Sequence, residues 1–369
     1  PQFIQDYQAG IAQSVYKQSK RINMHDSPLP RFELLKRGAY STAIIETSRG
    51  CPYSCDFCEI PMRLGKKSRT KSVEQVMAEV EKYYQLGFDS IFFIDDHFVG
   101  NKRHTKILLT ELAKFVKRVN YRVSFSVQFT INFAKEDEML ELFYQANFQR
   151  VFIGLETSRE SSLKSAHKKQ NMNIDLIAAV QRIQSYNIIV WAGFIVGFDG
   201  DDESVFDEQF EFIQAAGVTI GMIGLLQAIP GTALYQRLEG QNRIKRDNTS
   251  GVRGPYQELI YSNVIPTDLT PAQLAKGYQS LVSNVYQDKA FSARLMRLIK
   301  SSQRAIHQHD KKTGEYEKQV FKRLLRYYLN LKYPSRAWLF IKTVAYTLLF
   351  KPSLFEIVIT QLVAFKHFR

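Results

Sequence analysis

The sequence predicts an α/β fold of parallel strands and intervening helices, followed by a helical C-terminal region. The strands are runs of β-branched and aromatic residues, and their unbroken apolar character is typical of parallel strands covered on both faces. Six such runs lie at 42–48, 90–96, 123–130, 150–157, 188–198 and 219–226. Amphipathic patterns separate them, and helical patterns continue from Thr270 to the end. A repeat of this kind forms a twisted parallel sheet or a barrel, complete or partial.

The helix after the first strand has clear start and stop signals. Ser72 and Gln75 have the spacing of a capping box, and Gly87 ends the pattern. Its apolar face is formed by Val73, Val76, Met77, Val80, Tyr83 and Tyr84. The same periodicity predicts further helices near 103–119, 136–146, 173–186 and 203–216.

Changes in composition divide the chain into three parts. Residues 1–35, which contain "DSPLP", are predicted to be a lead-in linker, and residues 36–235 to be the strand–helix core. The polar segment "NRIKRDNTSGVRGPYQ" then introduces a helical domain over 236–369.

Charge and cysteine usage indicate the cellular setting. The formal net charge of +14 favours polyanionic partners, nucleic acid or an anionic membrane surface, although most basic side chains on any protein are simply solvated. Three clustered cysteines cannot form a disulfide framework, which indicates a reducing compartment. No secretory signal follows Pro1, and the longest apolar stretch, 338–350, falls short of the ~20 residues that span a bilayer. We therefore expect a cytoplasmic protein.

All three cysteines lie in the segment "RGCPYSCDFCEIP", where they form a CxxxCxxC motif. Soft thiolates in a short loop bind zinc or an iron–sulfur cluster. Structural zinc normally has four protein ligands, and only His97 or His104 could complete a Cys3His site. Both histidines fall in the second strand–helix unit, and CxxxCxxC matches zinc pairs poorly. A cubane with three cysteine ligands has one iron that is open to a small molecule.

Catalytic groups of such folds lie at the carboxyl ends of the strands. That rule selects the three cysteines after the first strand. It also selects residues at the ends of the next four strands: Asp95, Asp96, Gln128, Glu156, Gly197 and Asp199.

The motif CxxxCxxC, with Phe57 before the last cysteine and a preceding β-strand, resembles that of the radical S-adenosylmethionine (SAM) enzymes. The resemblance implies a partial (β/α)6 barrel with a 4Fe-4S cluster held by Cys51, Cys55 and Cys58. It further implies that SAM chelates the open iron through its amino and carboxylate groups, and that reduction releases a 5′-deoxyadenosyl radical. No protein general base is predicted, because hydrogen abstraction is the task of that radical.

The resemblance also implies contacts to SAM. Asp95 and Asp96 correspond to the strand end near its amino group, and Glu156 to the polar residue near its ribose or carboxylate. The strand that packs on the adenine supplies Gly193 and Gly197, and Phe57 and Gln128 complete the predicted cofactor-binding set. The alternative for each acid is a helix cap or a pair with a lysine.

A narrower resemblance covers nearly the whole chain. It rests on "ETSRGCPYSCDFCEI", "FFIDDHFVGNK", "VFIGLET", "KKQN", "GFIVGFD" and "GLLQAIPGT". They are similar to a bacterial subfamily with an N-terminal cobalamin domain, this core and a helical C-terminal domain of unknown function. Hopanoid methylases belong to it. The subfamily has Asn where this sequence has His97.

The subfamily implies methylation of an unactivated carbon in a lipid-like or secondary-metabolite substrate, with a reductant such as flavodoxin or ferredoxin. Cobalamin is implied as a further cofactor, but its domain is not in this chain. The chain is then a fragment, or the domain is supplied in trans, or this member works without cobalamin. Asp95, His97 and Gly100 satisfy the cobalamin signature DxHxxG, which we interpret as a coincidence because it ends a barrel strand.

Two other functions compete with this prediction. The segment "CEIPMRLGKKSRTKS" resembles RNA methylthiotransferases, and a basic protein would suit RNA. Those enzymes use a second cluster with three more cysteines, so nucleic acid is not the expected partner. The other alternative is a non-catalytic iron–sulfur redox protein.

The last 34 residues interleave Trp, Phe, Leu and Ile with Lys and Arg. Such helices either lie in an anionic membrane interface or form a hairpin, broken at Pro352, that packs on the barrel. The sequence favours the hairpin, because aromatic stripes at helical spacing usually belong to a core. A peripheral membrane contact stays open as the alternative.

Overall fold

The computed structural model describes residues 2–17, 20–36, 38–245, 252–253, 259–260, 262–304, 307, 315–330 and 332–368. Their strands are β1 (Ala43–Ile45), β2 (Ser48–Arg49), β3 (Arg69–Thr70), β4 (Ser90–Phe93), β5 (Ser124–Phe129), β6 (Phe148–Glu156), β7 (Ile189–Val196), β8 (Ile220–Leu225), β9 (Val252–Arg253) and β10 (Leu259–Ile260).

The lead-in contains helix α1 (Gln2–Gln8). The helices of the core are α2 (Ile60–Arg63), α3 (Val73–Gln85), α4 (Lys102–Arg118), α5 (Asp137–Gln145), α6 (Glu160–Ser165), α7 (Leu176–Ser185), α8 (Val205–Ala216) and α9 (Ala233–Gly240). The C-terminal region contains α10 (Pro271–Val285), α11 (Asp288–Ser301), α12 (Glu315–Tyr328), α13 (Pro334–Phe350) and α14 (Phe355–Phe368).

Six parallel strands form the central sheet in the order β1-β4-β5-β6-β7-β8. Because each strand pairs with the next one along the chain and helices connect them, the sheet is the predicted partial (β/α)6 barrel. Each of the six predicted strands overlaps an observed one, although β6 begins two residues before the predicted start at 150. The predicted helices correspond to α3, α4, α5, α7 and α8, and the capping box of α3 is present.

The two faces of the strands differ from the prediction that both are covered. Along β5, Phe125, Val127 and Phe129 are buried, whereas the alternating residues Ser126 and Gln128 are only half-buried. Helices cover the first face, but the second face of the curled sheet surrounds a cavity. The apolar runs of the sequence did not separate these two environments.

Strand β8 lies at one edge of the central sheet, and helix α10 covers that edge. The hydroxyls of Tyr278 and Tyr286 donate to the carbonyl oxygens of Ile223 (3.1 Å) and Gly221 (2.8 Å). These bonds pair carbonyls that no further strand reaches, which blunts a sheet edge. One hydrophobic core joins the barrel and the C-terminal helices. The predicted boundary at 236 falls inside α9, and the division into domains stays a prediction.

Helices α11 to α14 extend this cover. Helix α13 ends at Phe350 and α14 begins at Phe355, so the hairpin broken at Pro352 is present. Helix α13 packs on α11 and α14, and α14 also contacts the edge strand β8. Among the residues described, we find no helix that is long and apolar enough to cross a membrane. The lead-in residues lie at the other side of the barrel, where Phe32 stacks on Tyr83 of α3.

Candidate active site

The three cysteines lie on a loop that follows β2 and precedes β3. These two strands pair antiparallel and close the base of the loop. The amide of Cys51 donates to the Gly65 carbonyl at 3.1 Å. Asp56 donates its amide to the Ala166 carbonyl and accepts from the Leu234 amide, at 3.1 and 3.0 Å. Backbone bonds to α6 and α9 therefore hold the loop at the carboxyl ends of the barrel strands.

All three cysteine side chains line one cavity of about 530 Å³. It extends from the cysteine loop along the inner faces of β5 to β8. Most of the predicted site residues line it: Phe57, Asp96, Gln128, Glu156 and Gly193. Asp95 and Gly197 are not among the residues that line this cavity.

Burial controls the ionisation of the thiols. It raises the pKa of Cys51 to about 11 and also raises the pKa of Cys58. The neighbouring thiols raise both further, whereas the cation of Lys168 opposes the shift. The thiols of Cys51 and Cys58 are therefore protonated at neutral pH, and a metal centre that binds here displaces their protons.

The two histidines considered as zinc ligands do not line the cavity. His97 is buried under Tyr53, and burial, helped by Lys168, lowers its pKa to about 4. His104 lies on α4, where burial lowers its pKa. Within the described ranges no three His, Cys, Asp or Glu side chains are grouped to share one metal ion; a cubane differs, because each thiolate binds a different iron.

A buried ion pair crosses the cavity wall. Lys168 Nζ lies 2.6 Å from Glu156 Oε1, and both side chains are about nine-tenths buried. Burial opposes the charge on Lys168, but Glu156 and the thiols of Cys55 and Cys58 raise its pKa. A fixed cation therefore lies beside the cysteine loop.

The backbone around Glu156 is specialised for this pair. Glu156 has φ 66°, and the β6–β7 register shifts between Gly154 and Glu156. Positive φ is uncommon for a residue with a side chain. A Cβ on Gly154 would overlap the Glu156 carboxylate. Glycine is therefore required at position 154, because the Glu156 carboxylate occupies the space that a Cβ would fill.

Gln170 contacts the cysteine motif directly. Its Nε2 lies 3.2 Å from Cys55 Sγ, and its buried Oε1 has no hydrogen-bond partner among the described residues. The next residue, Asn171, donates to the carbonyls of Gly154 (3.0 Å) and Leu155 (2.9 Å). This anchors the turn that carries Gln170 on β6.

Sequence reasoning assigned no role to Lys168 or Gln170. Both lie in the segment "KKQN", which contributed to the family resemblance. The strand-end rule could not select them, because they follow β6 at a distance and return to it through α6. Their proximity to Glu156 and Cys55 is a tertiary contact.

The paired aspartates face different ways. Asp95 accepts from Thr47 Oγ1 (2.7 Å), Ser48 Oγ (2.6 Å) and the Thr47 amide (3.2 Å), and it is completely buried. Burial raises its pKa to about 6, although these bonds oppose the shift. Asp96 faces the cavity and accepts from the Gly50 amide at 3.3 Å. Asp95 thus braces β4 against the cysteine loop instead of lining the cavity.

The end of β7 likewise has a bracing role. Gly197 has φ 98°, and its amide donates to Asp201 at 2.9 Å. Its Cα faces the side chain of Leu274 on α10. Asp199 forms ion pairs with Arg237 and Arg243, which hold α9. The structure therefore separates these two residues from the cavity, whereas Gly193 is part of its wall.

Comparison with protein families matches two parts of the chain. Residues 45–213 match the radical SAM superfamily. Residues 232–369 match a domain of unknown function, DUF4070.

Curated relatives include an uncharacterized methyltransferase of Synechocystis sp., which is 33% identical over 72% of this chain and 49% of its own length. The hopanoid C-2 methylase of Rhodopseudomonas palustris is 31% identical over 79% of this chain and 56% of its own. The chain spans about half the length of these relatives.

Solved structures share the fold at lower identity. The cobalamin-dependent S-adenosylmethionine radical enzyme OxsB covers 94% of this chain and 53% of its own, with 15% identity and a TM-score of 0.55. The radical S-adenosylmethionine methyltransferase TsrM from Kitasatospora setae covers 67% and 52%, with 16% identity and a TM-score of 0.53. With its three-cysteine loop and six-stranded partial barrel, this chain belongs to the cobalamin-type subfamily of the radical SAM superfamily.

Proposed function

We propose that this chain is the catalytic core of a radical SAM methyltransferase that holds a 4Fe-4S cluster on Cys51, Cys55 and Cys58. The observation that carries the proposal is the convergence of all three thiols of the chain on one cavity, beside a fixed cation. When bound, the cluster and SAM supply a 5′-deoxyadenosyl radical that abstracts hydrogen from the substrate.

The residues present fit such a cluster. Three thiolates suit three irons of a cubane and leave the fourth iron for SAM. The ammonium of Lys168 offsets the negative charge that the thiolates acquire, and the Gln170 amide donates to Cys55. The cavity of about 530 Å³ has the size of a small-molecule site.

The cavity wall offers groups that suit the ends of SAM. Asp96 and Glu156 are acceptors for its ammonium or ribose hydroxyls, and Lys168 is a cation for its carboxylate. At Gly193 a Cβ would approach the Phe152 ring within 3.1 Å, so glycine keeps this wall flat for a planar ring. Gln128 and Phe57 complete the polar and aromatic lining.

For the substrate we propose an unactivated carbon in a lipid-like or secondary-metabolite molecule. The names of the relatives, a hopanoid C-2 methylase and a bacteriochlorophyllide d C-12(1)-methyltransferase of Chlorobaculum tepidum, support this class. The part of the cavity wall formed by Phe152, Ile195 and Met222 on β6, β7 and β8 is apolar. The proposal includes cobalamin, on which the structural relative OxsB is described as dependent, and a reductant of the flavodoxin or ferredoxin type.

Anaerobic reconstitution tests the proposal. About four irons and four sulfides per chain should bind, and reduction with SAM should release 5′-deoxyadenosine. Cys55→Ala should lose both, whereas Ser54→Ala, an exposed neighbour on the same loop, should keep both. Uptake of zinc alone would contradict the proposal. A bound cluster without SAM cleavage would instead identify a non-catalytic redox protein.

A further inference from the structure

One face of α13 carries large apolar side chains into solvent. Trp338 is 66% exposed, Ile341 50% and Leu349 75%, and Leu348 is also exposed. We call these four residues the α13 surface. The fold does not use them, because α13 packs on α11 and α14 through its opposite face. Contiguous exposed apolar residues of this kind mark interaction sites.

The surroundings of the α13 surface are basic. Over helices α12 to α14, residues 315–368 contain nine lysines and arginines against three acids, Glu315, Glu317 and Glu356. Helix α13 has no acid, and Lys342 lies within its exposed face. A partner for this surface must therefore offer both an apolar region that can bury these side chains and negative charge for the basic residues around them.

We propose that the α13 surface docks on an anionic lipid bilayer, with the helix lying in the plane of the membrane. The apolar side chains would enter the boundary between headgroups and acyl chains, and Trp338 suits that interface. Basic residues beside the helix would meet the lipid phosphates. At 17 residues α13 is ~26 Å long, which suits a helix on the surface.

Three other occupants agree less well with these observations. Nucleic acid offers phosphates but no apolar layer for the four side chains. The lead-in residues of this chain lie along α3 beside β1, at the opposite edge of the sheet from the helices that cover β8. A second copy of the chain would bring the same positive charge and would repel it.

Vesicle flotation tests the proposal on the full chain. The protein should float with vesicles of phosphatidylcholine and phosphatidylglycerol at 3:1, and much less with phosphatidylcholine alone or at high salt. Ile341→Glu should weaken the partitioning into vesicles about tenfold, because an apolar side chain that would enter the bilayer is replaced by an anion. Ile107→Glu is the matched control, since Ile107 on α4 has the same 50% exposure and should float as the wild type does.

Fluorescence gives a second readout. The chain has two tryptophans, and Trp191 is held by Gln361 at 3.1 Å. Anionic vesicles should shift the emission to the blue, and Trp338→Phe should abolish the shift. Unchanged thermal unfolding would show that each variant is folded.

Three results would overturn the proposal. They are no flotation of the wild type, equal flotation of the two Glu variants, or a concentration-dependent dimer that Ile341→Glu disrupts. The last would assign the α13 surface to a second copy. None depends on the cluster, so this test is independent of the proposed function.

Discussion

The cavity mouth and the covered edge of the barrel differ in the kind of polar group that they bury. At the covered edge, formed by β8 with α10 and α14, the neutral phenols of Tyr278 and Tyr286 pair with strand carbonyls. The Gln361 side-chain oxygen accepts from both Trp191 and Thr219 there, although its buried Nε2 has no partner among the described residues. At the cavity mouth, formed by the cysteine loop with β6 and the turn after α6, an ion pair is buried and Gln170 keeps an unpaired oxygen.

The contacts of the covered edge contribute to stability, whereas the groups at the cavity mouth are those expected of a binding site. The contacts of the covered edge satisfy groups that folding removes from water, so they stabilise the chain. The cavity mouth holds a buried charge pair and a residue at positive φ, and both cost free energy when no ligand is bound. Such departures from local rules cluster where a ligand is bound.

The largest effect is expected for Lys168→Met at the cavity mouth. It leaves the Glu156 carboxylate buried without its partner, which should lower the free energy of unfolding by about 3–5 kcal/mol. Denaturant titration of the metal-free protein measures it. Lys169→Met is the control, because Lys169 is exposed and its loss should change little. Equal effects of the two changes would contradict a buried pair.

Asp95 predicts a dependence on pH. Its pKa is raised from 3.8 to about 6 by burial, so the folded state binds the proton more tightly and this group's contribution to stability falls as the pH rises from about 4 to 6. Asp95→Asn removes that slope. The variant should therefore be more destabilised at pH 4.5 than at pH 7, by about 2 kcal/mol. A pH-independent difference between the two proteins would refute this.

At the covered edge, Tyr286→Phe should cost about 1 kcal/mol, because the Gly221 carbonyl loses its donor. The change keeps the ring and its stacking on Phe368. Tyr7→Phe, at an exposed tyrosine, serves as the control in the same unfolding experiment. A loss as large as that of Lys168→Met would remove the distinction between the two regions.

Gln170→Leu should have the smallest effect on stability, below about 1 kcal/mol, because the amide oxygen that it removes is already unpaired. It should instead make the reduction potential of the reconstituted cluster more negative, since the donor to Cys55 is lost. A redox titration followed by electron paramagnetic resonance measures this. Gln145→Leu, at an exposed position, should leave the potential unchanged.

Local signals in the sequence were sufficient for much of the fold and for the metal motif. The capping box at Ser72 and the apolar periodicity of α3 act within one element, so the pattern predicts the helix directly. The cysteine motif lies in eight residues of one loop. The strand-end rule also predicted that Asp96, Gln128 and Glu156 lie together, because the carboxyl ends of parallel strands meet at one edge of the sheet, and all three line the cavity.

The remaining features depend on how distant segments meet. The positions of the strands and the three-thiol motif follow from the amino-acid sequence alone, since they depend on neighbours along the chain. The direction of Asp95 away from the cavity, and the contacts of Lys168 with Glu156 and of Gln170 with Cys55, appear only in the folded chain. Asp95 meets Thr47 from the preceding strand–helix unit, Lys168 returns to the end of β6 through α6, and Gln170 meets a loop more than 100 residues earlier, and no local pattern encodes these contacts.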